Sequence, residues 1–394
     1  MTTFVIAGGG LAGAKAVEAL RGQGFDGDIV LIGDEPDRPY ERPPLSKDYL
    51  AGKAERDSVF VHSDAWYAEN RVDLRLGVAV SAIDRDAHQV SLADGTSVGY
   101  DRLLLATGSS PRRLPAAEGA LYLRQVGDAE RIKATMATAS RLTVIGAGWI
   151  GLEVAANARE AGIEVTVLES ADLPLLAAIG PEVAQVFADL HAEHGVDLRF
   201  GVKVDKVGAR HVTLSDGTVI DADAVLVAIG AAPNTSVAEA AGLEVDDGVL
   251  VDASLRTSDP DIFAAGDIAN ATHPLLGKRI RVEHWANAVN QPAVAATGML
   301  GGDAQYDELP YFFTDQYDLG MEYLGDITGY DRVVFRGDRA AREFIAFWLR
   351  DNKVLAGMNV NVWDVTEPVK ALIRSGRTVD QERLADTDVP LAEL

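Results

Sequence analysis

The chain of 394 residues is 47% hydrophobic and 24% charged, which is typical of a soluble globular protein with about two or three domains. Its formal net charge of -24 argues against general nucleic-acid binding, because neutralising phosphates requires a basic surface. It has no cysteine, which excludes disulfides, thiolate metal ligands and a thiol–disulfide relay within the chain, and we predict no metal site.

The apolar runs and the first residues indicate where in the cell the protein is expected. No run approaches the ~18 apolar residues of a membrane span. A strand-like stretch starts at Phe4, which leaves no room for a secretory signal. We therefore expect a cytoplasmic protein with no membrane partner.

The first predicted unit, residues 4–35, has the order strand, glycine turn, helix, strand and acid. The strand FVIA leads into G-x-G-x-x-G, a helix follows to about residue 24, and the strand IVLI precedes two acids. In this pattern the glycines make a tight turn, admit a pyrophosphate and let the helix pack close to the strand, while the helix N-terminus offers N–H groups to phosphates. The glycines and acids are Gly8, Gly10, Gly13, Asp34 and Glu35.

A proline-stiffened segment, residues 38–50, comes next. Pro43 and Pro44 force an extended backbone. Ser46 is predicted to cap a short helix that begins near Lys47. The residues alone leave two interpretations of Lys47 open, a solvated surface lysine and a functional lysine beside a ligand.

Residues 66–80 are predicted as a short helix followed by the strand VDLRLG. Residues 90–92 and 100–105, around the turn Asp94-Gly95, are predicted as a β-meander. The apolar strand then ends at Ala106, Thr107 and Gly108. An A-T-G exit lets the backbone lie against a flat ligand, although a plain strand-to-loop exit has the same pattern.

The stretch 142–170 repeats the whole fingerprint of strand, glycines, helix, strand and acid. Its glycines are Gly146, Gly148 and Gly151, and Glu169 follows about 20 residues on, where a carboxylate accepts from both ribose hydroxyls. Two complete fingerprints predict two dinucleotides, one retained cofactor and one exchanging co-substrate. Glu169 would repel a 2′-phosphate, and the following Ser-Ala supplies no arginine to hold one, so NADH is favoured over NADPH.

Beyond the second fingerprint, the sequence predicts further helices, a short strand and an antiparallel sheet. Residues 181–194 are predicted as an amphipathic helix that starts at a proline. Gly266-Asp267 ends a short strand at a place suited to a polyol, or forms an ordinary turn, and a helix is expected from about Trp285. From about residue 310 the pattern indicates an antiparallel sheet, then a helix over 361–375 and a loosely held acidic tail over 384–394.

Together, the two fingerprints and the motifs PPLSK, ATG, IGLE, T-x-x-x-x-I-F-A-A-G-D and YFFTDQYD resemble the FAD-dependent NADH:ferredoxin reductases of the putidaredoxin reductase and rhodocoxin reductase type. The resemblance covers nearly the whole chain in order. It implies an α/β fold with two Rossmann-like dinucleotide-binding domains, the NAD domain inserted into the FAD domain, plus a C-terminal α+β domain. The implied bounds are 1–108 with 234–310 for FAD, 109–233 for NAD and 311–394 for the C-terminal domain.

The resemblance also implies roles for single residues. Lys47 lies beside the flavin ring, Glu153 of IGLE is its partner next to the nicotinamide, and Asp267 hydrogen-bonds the ribityl chain; the first two are the expected catalytic residues. The residues implied to bind FAD are Gly8, Gly10, Ala12, Gly13, Asp34, Glu35, Arg42, Lys47, Val80, Ala106, Thr107, Gly108, Arg124, Gly266, Asp267, Glu283, His284 and Trp285. Those implied to bind NADH are Gly146, Gly148, Trp149, Ile150, Gly151, Glu153, Glu169, Ile229 and Gly230.

One departure from the family is visible at the start of the C-terminal domain. Many relatives have F-W-S-D-Q-Y-D where this chain places Phe313 at the tryptophan position. The aromatic ring is kept and the indole N–H is lost, so a hydrogen bond from that N–H is not available for electron exit.

The implied reaction is hydride transfer from NADH to FAD, followed by single-electron steps to a small iron–sulfur ferredoxin that supplies a cytochrome P450 or a Rieske-type oxygenase. An acidic ferredoxin would need a local basic patch, for which the candidates are Lys278, Arg279, Arg281, Arg332, Arg336 and Arg339. Two alternatives stay open. One is an NADH oxidase or quinone reductase on the same scaffold, and the other is an NADH-sensing flavoprotein resembling apoptosis-inducing factor.

Overall fold

The computed structural model of the chain describes residues 2–115, 117–208 and 210–394. The chain forms two compact units. The first consists of Met1–Arg42, Arg56–Ser110 and Ala231–Glu308, and the second of Pro43–Glu55, Pro111–Gly230 and Leu309–Leu394.

Before residue 310, strand–helix units are separated by runs of consecutive strands, and after residue 310 five consecutive strands precede the last helices. The strands of the described residues are β1 Thr3–Ala7, β2 Asp28–Ile32, β3 Val72–Arg75, β4 Val80–Asp84, β5 Gln89–Leu92, β6 Ser97–Gly99, β7 Arg102–Leu105, β8 Ser109–Pro111, β9 Arg141–Ile145, β10 Glu164–Leu168, β11 Asp197–Arg199, β12 Val204–Val207, β13 His211–Leu214, β14 Val219–Asp221, β15 Ala224–Val227, β16 Ala231–Pro233, β17 Val249–Val251, β18 Ile262–Ala264, β19 Ala269–His273, β20 Lys278–Ile280, β21 Tyr311–Gln316, β22 Leu319–Gly325, β23 Arg332–Asp338, β24 Glu343–Arg350 and β25 Lys353–Val360. The helices are α1 Leu11–Gly22, α2 Asp64–Glu69, α3 Val126–Met136, α4 Trp149–Glu160, α5 Leu176–Glu193, α6 Ser236–Ala240, α7 Trp285–Met299, α8 Thr366–Ser375 and α9 Gln381–Ala385, with 3₁₀ turns at Pro43–Ser46, Arg56–Val59 and Leu391–Glu393. None of the described helices is long and apolar enough to cross a membrane.

The first unit is built on a parallel sheet with the strand order β18-β7-β1-β2-β3. Its central strands are continuous apolar runs whose residues are buried, as expected when helices cover both faces of a parallel sheet. Helices α1 and α7 pack against each other in this unit. The register sets Ala7 opposite both Ile32 and Leu105, so the carboxyl ends of these strands meet at one edge.

The second unit contains a parallel sheet with the order β11-β10-β9-β15 and an antiparallel sheet with the order β21-β22-β25-β24-β23. Helix α4 packs on the parallel sheet and α8 on the antiparallel one. Trp348 of β24 is fully buried, and its indole N–H donates to the carbonyl of Ile179 at 3.1 Å. The fold class is therefore confirmed: an α/β chain with two Rossmann-like sheets and a C-terminal α+β domain.

Helix α5 shows why a proline-led start was predicted correctly. Gly180 has φ 72° and ψ 167° and breaks the helix. A single turn therefore precedes Gly180, and the long amphipathic part begins at Pro181, whose fixed φ suits a first helical turn. Helix α7 starts at Trp285 as predicted.

Three predictions in the first 110 residues are wrong. The meander is formed by β4, β5 and β6, whereas β7 joins the parallel sheet beside β1, because the apolar run LLL is buried on both faces there. The extended backbone expected at Pro43 and Pro44 is instead a 3₁₀ turn, which the fixed φ of proline also suits. The helix expected from Lys47 is absent from the described residues; the 3₁₀ turn ends at Ser46, and the Ser46 hydroxyl donates to Glu153 rather than capping a helix.

Three further differences lie downstream. Helix α3 was not predicted; the carboxylate of Asp128 accepts from the N–H of Gln125 at its start. The last long helix begins at Thr366, five residues later than predicted. The tail is not loose, since Leu384 is fully buried and the guanidinium of Arg336 donates to four tail carbonyls, those of Leu384, Asp386, Thr387 and Val389.

Candidate functional site

The first glycine turn, between β1 and α1, packs against backbone at its first and third glycines and has open space at its second glycine. A Cβ on Gly8, whose φ is 131°, would lie 2.1 Å from the carbonyl oxygen of Ala106, and one on Gly13 would lie 2.2 Å from the carbonyl oxygen of Gly8. A Cβ on Gly10, which caps the N-terminus of α1, would meet nothing within 4 Å. This space lies in front of the free N–H groups of the helix, so it fits a pyrophosphate.

Ala12 and Gly266 bring a third element to the same turn. Ala12 is buried in the first turn of α1, and a Cβ on Gly266 would lie 3.2 Å from its methyl group. The N–H of Gly266 donates to the side-chain oxygen of Gln291 in α7 at 2.8 Å. Glycine at 266 thus lets the end of β18 approach α1 closely.

The acid of the first fingerprint is Glu35, which is enclosed by partners, while Asp34 is exposed. Arg42 donates to Glu35 at 2.9 Å, and the hydroxyl of Tyr40 donates to the other oxygen of the same carboxylate. Tyr40 was not recognised from the sequence. The three side chains form a compact hydrogen-bonded cluster beyond β2, in which the Arg42 guanidinium balances the charge of the Glu35 carboxylate.

The neighbourhood of Asp267 is polar and mostly buried. One carboxylate oxygen of Asp267 accepts from the Ser109 hydroxyl at 2.7 Å. Its backbone carbonyl accepts from Arg281, which also bridges Asp247 and Glu283. The predicted polyol contact would be made at this carboxylate, which lies directly after Gly266 at the end of β18.

The A-T-G exit is fixed by Asn234. Its amide donates to the carbonyl of Thr107 at 2.7 Å, the Thr107 hydroxyl donates to the Asn234 carbonyl at 3.0 Å, and the Asn234 N–H donates to the Gly108 carbonyl at 2.9 Å. Of the remaining residues predicted for this unit, Val80 opens β4, His284 is the N-cap of α7 and Trp285 is its first residue.

The second glycine turn, between β9 and α4, repeats the first. A Cβ on Gly146 would lie 2.3 Å from the Ala228 carbonyl oxygen and one on Gly151 2.2 Å from the Gly146 carbonyl oxygen, whereas Gly148 faces open space. The two predicted turns thus have the same packing, which ties the glycine positions to the close approach of strand, turn and helix.

Glu169 differs from Glu35 in position and in partners. It follows β10 directly and accepts from the N–H of Ala147 in the turn at 2.7 Å and from that of Ala171 at 2.9 Å. The corresponding position of the first unit is Gly33, where a Cβ would lie 3.0 Å from the Cα of Gly9. The lack of room at Gly33 explains why the first acid lies two residues later.

Aromatic residues flank the start of α4. Trp149 packs on Phe312 with ring centroids 4.7 Å apart and on Phe187 at 5.5 Å. Ile150 is among the exposed large apolar side chains of the described residues. Ile229 and Gly230 follow β15, and Arg124, whose N–H donates to Asp128, precedes α3.

Lys47 and Glu153 form a largely buried ion pair within the second unit, with side-chain exposures of 13% and 5%. One oxygen of Glu153 accepts from Lys47 and from the Thr314 hydroxyl, and the other accepts from Ser46. The Lys47 ammonium also lies 5.5 Å from the centroid of the Phe313 ring, a cation–π geometry. The structure therefore brings together Lys47 and Glu153, which are 106 residues apart, as predicted.

Sequence reasoning missed Thr314 and Gln316 of this cluster. Both are buried on the same face of β21, as the two-residue period of a strand dictates. The available signal was the spacing of two residues between Thr314 and Gln316, which places both side chains on one face of a strand. Their buried polar side chains require partners, which marks them as part of a network.

Two of the predicted docking arginines are not available for a partner. Arg336 is buried against the tail, and Arg281 is held by Asp247 and Glu283 with a side-chain exposure of 10%. Both predictions are wrong because these guanidinium groups satisfy buried or acidic groups of their own unit. Arg279, Arg332 and Arg339 are exposed.

Comparison with known proteins gives two family models that match consecutive parts of the chain. Residues 2–292 match the family model described as pyridine nucleotide-disulphide oxidoreductase, and residues 311–394 match the model described as reductase C-terminal. The ferredoxin–NAD(+) reductase component of the anthranilate 1,2-dioxygenase system of Burkholderia cepacia is 42% identical over 98% of both chains. Putidaredoxin reductase of Pseudomonas putida is 40% identical over 99% of this chain and 96% of its own. The reductase in a crystal structure of the covalent putidaredoxin reductase–putidaredoxin complex superposes with a TM-score of 0.96 at 39% identity, covering 100% of this chain and 97% of that one.

Proposed function

The chain belongs to the pyridine nucleotide-disulphide oxidoreductase family, and from this premise we propose that it passes electrons from NADH through FAD to a small iron–sulfur ferredoxin that supplies an oxygenase. The observation that carries the proposal is the pair of glycine turns. In each turn the first and third glycines pack against backbone, and the second glycine, which caps the helix, has open space around it. Two such turns suit one retained and one exchanging dinucleotide. Full-length similarity to ferredoxin reductases of oxygenase systems supports the choice of partner.

FAD is assigned to the first turn. Gly8, Gly10 and Gly13 would hold its pyrophosphate and Glu35 its adenosine ribose, and Asp267 would hydrogen-bond its ribityl chain. Bound FAD supplies the conversion between two-electron and one-electron chemistry. The family resemblance assigns Lys47 to the flavin ring, and we retain that assignment, with Glu153 holding the lysine ammonium in place.

NADH is assigned to the second turn. Gly146, Gly148 and Gly151 would receive its pyrophosphate at the start of α4, and the carboxylate of Glu169 would accept from its ribose hydroxyls. The Glu169 carboxylate lies at the turn, where it accepts from two backbone N–H groups. Its negative charge would repel a 2′-phosphate at this position. We therefore propose selectivity for NADH over NADPH.

The domain bounds predicted from the resemblance are retained as part of the proposal: residues 1–108 with 234–310 for FAD, 109–233 for NADH and 311–394 for the C-terminal domain. The compact units change at residues 110/111 and 230/231, close to the proposed bounds of the NADH domain. A cytoplasmic location follows from the proposed electron donor, which is a cytoplasmic nucleotide.

The proposal is tested on the purified protein. We expect a yellow protein that releases FAD on denaturation and reduces cytochrome c with NADH only when putidaredoxin is added as the probe ferredoxin. A colourless protein that takes up no FAD contradicts the cofactor assignment. Rapid oxygen consumption without added ferredoxin would favour an NADH oxidase, and a long-lived flavin–NAD complex with poor turnover would favour an NADH sensor.

A further inference from the structure

A row of buried polar side chains leads away from Glu153 inside the second unit. The Thr314 hydroxyl lies 2.5 Å from a Glu153 oxygen, and the Gln316 side-chain nitrogen lies 3.2 Å from Thr314 Oγ1. His191 Nε2 of α5 lies 2.8 Å from Gln316 Oε1, and the Tyr317 hydroxyl lies 3.5 Å from His191 Nδ1. Thr314, Gln316 and His191 are each no more than 1% exposed, so water does not compete for these bonds.

The inventory of protons fixes the direction of every bond in this row. A carboxylate only accepts, so the single proton of Thr314 points at Glu153, and Thr314 must accept from the Gln316 amide nitrogen. Gln316 therefore turns its carbonyl oxygen to His191, which must carry its proton on Nε2. His191 Nδ1 is left as the acceptor for Tyr317.

Burial supports the neutral imidazole that this direction requires. The loss of solvation lowers the pKa of His191 to about 4, partly offset by its hydrogen bond to Gln316. At neutral pH the imidazole ring thus carries one N–H and one nitrogen lone pair. The N–H donates to Gln316, and the lone pair accepts from the Tyr317 hydroxyl.

All donors in the row consequently point toward Glu153. Hydrogen bonds aligned in one sense polarise one another, and the accumulated positive end falls on the carboxylate that holds Lys47. Thr314 touches both members of the pair, since its Oγ1 also lies 3.4 Å from the Lys47 ammonium. Removing the Thr314 hydroxyl would take one of two donors from the Glu153 oxygen that holds Lys47 and one contact from the ammonium.

We propose that Thr314, Gln316 and His191 are positioning residues, a one-way hydrogen-bond chain that holds the Lys47–Glu153 pair in the geometry needed for reduction of FAD by NADH. This inference rests on the proposed function for its kinetic consequence. The direction of the chain is a property of the protein alone and is measured separately.

The first measurement uses the wild-type protein labelled with ¹⁵N-histidine. The resonances that disappear in His191→Gln belong to His191. We expect a neutral ring protonated on Nε2 throughout pH 6 to 8. A ring protonated on Nδ1, or a mixture of both tautomers, contradicts the proposed direction of the hydrogen-bond chain. This measurement does not depend on catalytic turnover.

The second measurement is the rate of flavin reduction by NADH in stopped flow. Thr314→Val keeps the shape and removes the hydroxyl, so we expect a roughly tenfold slower rate, equal to ~1.4 kcal/mol, with an unchanged dissociation constant for NADH. Thr314→Ser restores the hydroxyl and should restore the rate. Thr143→Val, a buried threonine of β9 outside the chain, is the matched control and should react as the wild type does.

A wild-type rate in Thr314→Val overturns the proposal, and so does a loss of rate in Thr143→Val equal to that in Thr314→Val. If Thr314→Val does not fold, Gln316→Leu removes the next link, and an unchanged rate there has the same meaning. If NADH does not reduce the wild-type protein, the proposed function is refuted. In that case the tautomer of His191 still tests the direction of the hydrogen-bond chain.

Discussion

His191 makes the stability of the second unit depend on pH in a calculable way. The pKa of His191 falls from about 6.5 in the unfolded chain to about 4 in the fold, chiefly because the ring is desolvated by burial. Between these values the unfolded state binds the proton and the folded state does not. Stability is therefore complete above about pH 6.5 and is lost as the pH falls toward 4.

The expected loss follows from the difference between the two pKa values. A tenfold difference in proton affinity between the unfolded and folded states corresponds to ~1.36 kcal/mol, so full titration costs about 3 kcal/mol, and the fall between pH 7 and pH 4.5 is ~2 kcal/mol. His194, which stacks on Tyr317 beside His191, acts in the same direction by opposing a second positive charge.

Urea unfolding of the wild type, His191→Gln and His88→Gln at pH 7 and pH 4.5 measures this contribution of His191 to stability. His191→Gln should lose ~2 kcal/mol less stability on acidification than the wild type, because glutamine does not titrate. His88→Gln replaces an exposed histidine and should follow the wild type. Equal pH dependence of the wild type and His191→Gln would refute the reasoning.

Three further predictions concern the ion pair, the nucleotide preference and the tail. Lys47→Ala should slow flavin reduction by NADH at least tenfold, ~1.4 kcal/mol, while the protein still binds FAD; an unchanged stopped-flow rate removes Lys47 from the mechanism. Glu169→Ala should lower the ratio of kcat/KM for NADH over NADPH roughly tenfold, because the repelling carboxylate is gone; a ratio that stays the same places the selectivity elsewhere. Arg336→Ala removes the donors to four tail carbonyls and should lower the free energy of unfolding by ~1–3 kcal/mol and expose the tail to limited proteolysis, whereas Arg350→Ala, at an exposed arginine of β24, should not.

The parts of the molecule that short-range chemistry determines were predictable. Both glycine turns follow from strand, glycine spacing and helix start, because the third glycine of each turn is required by the carbonyl oxygen of the first glycine of the same motif. The helix after Gly180 and the five strands after residue 310 follow from proline, glycine and alternation. The Lys47–Glu153 pair was reached only through the family resemblance, since nothing local relates the two residues.

The parts that were missed depend on partners far away in the chain. Thr314 and Gln316 are recognisable as a network only when Glu153 and His191, more than 120 residues earlier, are placed beside them. Arg336 has the pattern of a surface charge until the tail carbonyls around it are known. Strand β7 was predicted as part of a meander because a run of three leucines fits either kind of sheet.

The carboxylate of Glu169 is held by two backbone N–H groups of its own unit. Fixing a free side chain on binding costs about 0.5–1.5 kcal/mol, and here the backbone of the protein itself orders the acid. At the proposed NADH turn, entry and departure of the ligand would thus require little rearrangement of Glu169. A carboxylate that is fixed in advance suits a co-substrate that is replaced at every catalytic cycle.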